Sequence, residues 1–177
     1  MKVDALDMPF GDESFEAIIS SHMIHHLANP RIFLREMARV LKPGGLLIIQ
    51  ETHASLVTRA VLRFMRHEGW SYEIDVFSQL TVANDPRDPW SGNNAVAQML
   101  FSSQDKFEHN VSEFKIIHNK LCECFLFLVS GGMCVKTPTL QLPNWMLRTV
   151  VVIDSILVKM FPSVFAMGRQ VVLQKSP

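Results

Sequence analysis

Three histidines lie close together near the start of the chain, directly after a short apolar run. The run covers residues 15–19, and His22, His25 and His26 follow it. A neutral imidazole can accept a proton, so His22 and His25 are the candidate catalytic residues; the alternative is a loop histidine with a structural hydrogen bond. His22 and His26 have the spacing at which two histidines on one helix face share a metal ion. No carboxylate or cysteine stands at a matching spacing, so we expect no metal site.

The elements around these histidines predict where they lie. The apolar runs Phe15–Ile19 and Leu46–Ile49 read as buried strands, and Asn29-Pro30 is typical of a helix start between them. Strand, helix and strand at this spacing predict a βαβ unit with a parallel sheet. Ligands of such sheets bind at the carboxyl ends of the strands, so the predicted site comprises residues 20–26 and 50–53, where Glu51 and His53 are substrate-side candidates.

Four short motifs occur in a fixed order along the same fifty residues. They are DALDMPF at 4–10, DESFEAI at 12–18, HHL at 25–27 and RVLKPGG at 39–45. Their order and spacing resemble the type 11 family of class I S-adenosylmethionine-dependent methyltransferases. Each motif alone is weak, but the combination is specific. The resemblance implies an α/β fold with a Rossmann-like sheet and S-adenosylmethionine as cofactor.

The resemblance also implies roles for individual residues. An acid at the position of Asp4 accepts a hydrogen bond from the adenine amino group, and the backbone N–H of Ala5 meets the adenine ring. Methyl transfer is an in-line displacement, in which the protein aligns the reactants and removes a proton from the nucleophile. The resemblance places His22 and His25 near the reacting groups. The implied cofactor-binding residues are Asp4, Ala5, Met8, Ser20 and Ser21.

The chain departs from the family in its glycines. Family members begin with a strand and a loop of the form acid-x-G-x-G-x-G, whereas none of the eight glycines here forms G-x-G. We therefore interpret the chain as the C-terminal part of the fold, N-terminally truncated, and expect an inactive fragment of a longer enzyme. Two alternatives stay open. The chain could complete its sheet with a partner, such as a second copy bound at the exposed sheet edge, or it could be a degenerate protein that no longer binds cofactor.

The rest of the chain predicts the end of the same fold. Residues 114–121 and 170–174 read as the sixth and seventh strands, the last antiparallel, with helices predicted at 54–66 and 95–101. A mostly helical, apolar insertion at 122–168 precedes the last strand, with a helix near 144–161. We expect one partial methyltransferase domain over 1–177, in which this insertion forms a lid or substrate-facing layer.

Composition limits the partners. The formal net charge is zero, which argues against nucleic acid, and the longest uncharged run of the later half is too short to span a bilayer. Three cysteines without framework spacing favour a reducing, cytoplasmic location and buried, inert thiols. We expect methyl transfer to a small-molecule, sugar or lipid-linked acceptor. A non-catalytic assembly module is the alternative, and the apolar insertion leaves a peripheral membrane contact open.

Overall fold

The computed structural model describes residues 3–66, 68–85, 87–88, 91–129 and 141–177. Four strands and seven α-helices occur in these ranges, and a single 3-10 turn, Ile24–His26, follows the first strand. In chain order they are β1 (Phe15–Ser21), α1 (Pro30–Val40), β2 (Leu41–Thr52), α2 (Leu56–Met65), α3 (Val96–Phe101), α4 (Gln104–Asn110), β3 (Phe114–Cys122), α5 (Phe125–Val129), α6 (Asn144–Met160), α7 (Pro162–Phe165) and β4 (Gly168–Lys175).

The four strands form one mixed sheet in the order β1-β2-β4-β3. β1 and β2 are parallel and are joined through α1, which confirms the predicted βαβ unit. β4 lies antiparallel between β2 and β3, as predicted for the last strand. Because β1 and β2 run the same way, their carboxyl ends meet at one edge of the sheet. The end of β3 joins that edge through the pairing of Cys122 with Gly168.

Helix α1 begins at a capping residue and buries an apolar face in the main core. The Asn29 side chain accepts a hydrogen bond from the backbone N–H of Ile32 (2.9 Å), and Pro30 occupies the first turn. Phe33 and Met37 then reach the main hydrophobic core. The helix ends at Val40. β2 begins at once and runs through the Pro-Gly-Gly stretch, where Gly44 has a φ of 74°.

The segment between β3 and β4 has a second, smaller core. Cys124, Phe127 and Val158 form it together with residues of the α7–β4 junction, and Val57 and Val61 of α2 pack against it. The predicted helix near 144–161 is confirmed as α6. The expected Gly131-Gly132 turn, Cys134 and Pro138 lie outside the described residues. None of the helices that the structure describes is long and apolar enough to cross a membrane.

Strand β1 is less buried than its apolar sequence predicts. Within the described ranges β1 pairs only with β2, and the side chain of Ile19 is 75% exposed. The prediction of a strand covered on both faces is therefore wrong for this chain. The physical reason is that β1 forms an edge of the sheet, where no further strand or helix covers this side chain.

Candidate functional site

The carboxyl edge of the sheet brings the predicted polar residues together. His22 follows β1 directly, and its backbone N–H donates to the carbonyl oxygen of Gln50 in β2 (2.8 Å). His22 has a φ of 49°, a left-handed conformation that non-glycine residues rarely adopt. Such backbone strain persists only where the surrounding structure enforces it, and it is concentrated at functional sites. This bend starts the loop that carries His25 and His26.

His25 is buried between two carboxylates. Its Nδ1–H donates to Oε2 of Glu51 (2.6 Å), while its Nε2 lies 3.5 Å from Oε2 of Glu68. Burial alone lowers the pKa of His25, but the hydrogen bonds to Glu51 and Glu68 outweigh it and raise the pKa to about 9. At neutral pH the imidazole is therefore protonated. A proton acceptor must be neutral, so the environment of His25 differs from that expected of a catalytic base.

Glu51 is fully buried and holds the loop as well as the histidine. One oxygen, Oε1, accepts hydrogen bonds from the backbone N–H groups of Met23 (2.7 Å) and Ile24 (2.6 Å), and the other accepts from His25. A buried carboxylate is stable only with such partners. Glu51 was expected on the substrate side, but these contacts make it an internal anchor of the loop.

Glu68 was not predicted from the sequence, because it lies far along the chain in a stretch without periodic structure. Its Oε1 is 3.5 Å from Nε2 of His26, and Asn94 donates to its Oε2 (3.1 Å). The side chain passes against Gly92, where an added Cβ would come within 2.7 Å of the Glu68 carboxyl carbon. Burial raises the pKa of Glu68, but the contacts with His25 dominate and lower it to about 2.

His22 has a setting closer to that of a base. It is half-buried, and burial is the largest cause that lowers its pKa, while the charge of His25 acts in the same direction. The ring is therefore neutral at neutral pH. It lies beside Phe127 of α5, with ring centroids 5.4 Å apart, and beside His25 at 6.5 Å. His22 thus stands where β1 meets the helical segment 122–168.

A cavity of about 230 Å³ opens beside β1. Ala5, Met8 and Ser20 line it, as do apolar residues of α1, whereas Asp4 and Ser21 are exposed and outside its lining. The hydroxyl of Ser20 is buried and, within the part of the chain that the structure describes, has no hydrogen-bond partner. The carboxylate of Asp4 accepts from the backbone N–H of Leu6 (2.9 Å), which shapes the turn beside the cavity.

A larger cavity of about 550 Å³ lies at the far side of the same edge. It is formed by the ends of β3 and β4 and by one face of α6. Its walls are mainly apolar, from Leu121, Leu126 and Val158, with Lys120 and Lys159 also in its lining. Burial is the main cause that raises the pKa of the neighbouring Cys122 to about 11, so its thiol is protonated and unreactive at neutral pH.

Known proteins share parts of this sequence and this fold. Residues 1–49 match the family described as "Methyltransferase domain". A demethylmenaquinone methyltransferase of Mycobacterium tuberculosis is 48% identical over 48 residues, which cover 27% of this chain and 20% of that protein. An ajmaline N-methyltransferase of Rauvolfia serpentina is 48% identical over 46 residues, 26% of this chain and 16% of that one. The match thus spans about a fifth of the length of these relatives.

A solved structure extends the comparison over the whole fold. A SAM-dependent methyltransferase from Archaeoglobus fulgidus aligns with a TM-score of 0.50 at 16% identity and covers 99% of this chain and 66% of that one. At this identity the likeness concerns the fold alone. The chain therefore has the α/β, Rossmann-like fold of class I methyltransferases. Its first 49 residues match the model of the type 11 methyltransferase family, which confirms the resemblance over that segment.

Proposed function

We propose that this chain contributes to methyl transfer from S-adenosylmethionine to a small-molecule acceptor. One observation carries the proposal: the segment that matches the methyltransferase domain supplies Ala5, Met8 and Ser20, and all three line one cavity beside β1. This cavity opens at the carboxyl edge of a parallel pair of strands, where this class of fold binds its ligands.

The cavity fits part of such a cofactor. Apolar walls suit a flat aromatic ring, and the buried Ser20 hydroxyl offers a hydrogen bond that no described residue uses. The bound cofactor supplies a methyl group on a positively charged sulfur. In the proposal Ala5, Met8 and Ser20 would hold it, and the carboxylate of Asp4 would accept a hydrogen bond from its adenine amino group. Ser21 belongs to the same binding segment.

We assign the proton-accepting role to His22 rather than to His25. His22 is at the end of β1, and its side chain contacts Phe127 of the helical segment. Both nitrogens of His25 face carboxylates, so His25 acts through its position in the loop and not as a base. His22 would accept the proton of the acceptor's nucleophilic atom as that atom bonds to the methyl carbon, while the carbon–sulfur bond breaks and S-adenosylhomocysteine is the leaving group.

The larger cavity supports an acceptor with an apolar body. Its walls come from β3, β4 and the segment 122–168, which we propose as the lid or substrate-facing layer of a single domain over 1–177. The relatives act, by their names, on demethylmenaquinone and on ajmaline, and both are small molecules. A lipid- or sugar-linked acceptor stays within the proposal, because the cavity is open to solvent on one side.

Cofactor binding is the direct test. The folded chain, checked by circular dichroism, is titrated calorimetrically with S-adenosylhomocysteine. We expect binding in the micromolar range that Asp4→Ala weakens, because the adenine hydrogen bond is lost. Asp7→Ala is the matched control, since Asp7 is an exposed aspartate of the same turn. A folded chain that binds no S-adenosylhomocysteine overturns the proposal for this chain.

A second function is favoured by the exposed edge of β1. A strand edge with free backbone groups and an exposed Ile19 is a surface for strand pairing, so the chain could serve as an assembly module that completes its sheet with a second copy. Light scattering after gel filtration tests this. A dimer that Ile19→Lys converts to a monomer supports the module, and a wild-type monomer excludes the homodimer.

A further inference from the structure

Two histidines and one carboxylate lie close together outside the cavity beside β1. They are His25 and His26 of the loop after β1 and Glu68 of the segment after α2. One ligand atom from each, the Nε2 atoms of the histidines and a carboxylate oxygen, lie within 4.8 Å of one another. His25 is buried and the other two are half-buried, so water competes weakly for this position.

The distances in this cluster are those of ligands around an ion. Each histidine Nε2 lies 3.5 Å from an oxygen of Glu68, whereas charge-assisted hydrogen bonds of this kind measure about 2.7–2.9 Å. Ligand atoms around a tetrahedral ion with bonds of about 2.1 Å are about 3.4 Å apart. The two 3.5 Å contacts are therefore long hydrogen bonds, and they also have the separation of two ligand atoms on one cation.

Both histidines are oriented as metal ligands usually are. The Nδ1–H of His25 donates to Glu51 (2.6 Å), and the Nδ1–H of His26 donates to the carbonyl oxygen of Ser91 (2.9 Å). Each hydrogen bond fixes the ring and turns Nε2 toward Glu68. Metal-binding histidines characteristically use their second nitrogen in this way, with a carboxylate or a backbone carbonyl as partner.

The surroundings also hold the carboxylate in place. Asn94 donates to Glu68 (3.1 Å), and Gly92 leaves room for the carboxyl group where a Cβ would collide with it. Asn84 donates to the carbonyl oxygens of His25 (2.7 Å) and Leu27 (2.9 Å) and so fixes the histidine loop from the other side. The contacts of Asn84, Gly92 and Asn94 therefore hold the histidine loop and the Glu68 carboxylate in one arrangement.

We propose that His25, His26 and Glu68 bind one divalent transition-metal ion of the Zn²⁺ type, with Glu51 as the group that orients His25. Two imidazoles and one carboxylate suit such an ion, and three protein ligands leave a fourth position for water or another oxygen ligand. Sequence spacing raised only His22 and His26 as a metal pair and predicted no metal site, because Glu68 has no periodic relation to the histidines.

The test is a titration of the tag-free, chelator-treated chain with Zn²⁺ by calorimetry, without any methyl donor. We expect one ion per chain. Co²⁺ serves as a second probe, whose visible absorption bands report nitrogen and oxygen ligands in a tetrahedral arrangement. Glu51→Gln, which weakens the orientation of His25, is expected to lower the affinity by about 10- to 100-fold. Glu68→Gln removes a ligand and is expected to lower it more.

Controls separate a built site from general metal binding. His109→Gln changes an exposed histidine of α4 and should leave the Zn²⁺ affinity unchanged. If Glu68→Gln does not fold, His26→Asn replaces it, because His26 is half-exposed. Equal Zn²⁺ affinities of the wild type and of Glu68→Gln or His26→Asn overturn the proposal, as does a wild type that binds no ion. The Zn²⁺ titration does not depend on S-adenosylhomocysteine binding. Failure of the metal proposal is therefore distinguishable from failure of the proposed function.

Discussion

Helices α1 and α6 differ in how completely the fold covers them. α1 buries six of its eleven residues, among them Phe33 and Met37 in the main core. α6 is longer, with 17 residues, but it buries only Asp154 and Val158, and Trp145 on its surface is 69% exposed. The sequence of α6 is apolar on most of its circumference, whereas α1 has one apolar stripe. The main core thus covers the apolar face of α1, while α6 presents an apolar surface that a soluble monomer rarely exposes.

The largest expected effect compares one aromatic residue from each helix. Phe33→Ala removes a fully buried ring of α1 and should lower the free energy of unfolding by about 3–5 kcal/mol. Trp145→Ala removes a larger ring from α6 and should change it by less than about 0.5 kcal/mol. Urea denaturation followed by circular dichroism measures both. A loss of several kcal/mol from Trp145→Ala would show that α6 is covered in solution.

Acid should destabilise the protein through His53, which directly follows β2 and whose backbone N–H donates to the carbonyl oxygen of Met167 in the second core (2.8 Å). Burial, together with the smaller effects of the Arg169 and Arg59 charges, lowers the pKa of His53 to about 4. The folded state therefore binds fewer protons than the unfolded state between about pH 6.5 and 4. Stability from the neutral form is complete above pH 6.5 and is lost as the pH falls, by about 3 kcal/mol for a shift of this size.

The measurement is urea denaturation at a series of pH values between 7 and 4. His53→Gln should lose less stability over this range than the wild type, because glutamine does not titrate. His118→Gln is the control, since His118 is an exposed histidine of β3. If the wild type and His53→Gln show the same slope against pH, the buried histidine is not the cause of the acid sensitivity.

A smaller, local effect is expected in the helical segment 122–168. The Asp154 carboxylate accepts hydrogen bonds from the backbone N–H groups of Cys124 (2.9 Å), Phe125 (3.0 Å) and Leu126 (2.9 Å), and so begins α5 from a neighbouring helix. Asp154→Asn removes the charge and one acceptor oxygen, at a cost of about 1–3 kcal/mol.

Hydrogen exchange read by mass spectrometry locates this effect. Because α5 and α6 share the second core and not the main one, we expect faster exchange in residues 123–129 and little change in α1. Asp105→Asn, an exposed aspartate in the first turn of α4, is the control. Equal loss of protection in α1 would mean that the two regions unfold as one unit.

The difference between the regions also explains what the sequence could predict. The βαβ unit and the antiparallel last strand follow from local patterns: an Asn-Pro helix start, apolar runs of strand length and glycines between them. The histidine cluster could be placed at the carboxyl edge for the same reason. Glu51 was placed at the same edge, but its inward contacts with the loop were not predicted, and Glu68 could not be placed because it lies in an aperiodic segment. The exposure of β1 was not predicted, because an apolar sequence does not distinguish an edge strand from a central strand of the sheet.

The smallest expected effect tests whether the apolar face of α6 meets a membrane surface. Several large apolar side chains of this helix, among them Val152, Ile156 and Met160, are exposed. If they insert at a lipid surface, the chain should sediment with phosphatidylcholine vesicles, and Ile156→Lys should weaken binding several-fold, because a charge replaces buried apolar area. Leu80→Lys is the matched control, since Leu80 is 93% exposed but lies in a loop away from α6. Equal weakening by both variants would mean general hydrophobic adsorption, and a chain that stays in the supernatant would leave α6 as a wall of the acceptor cavity only.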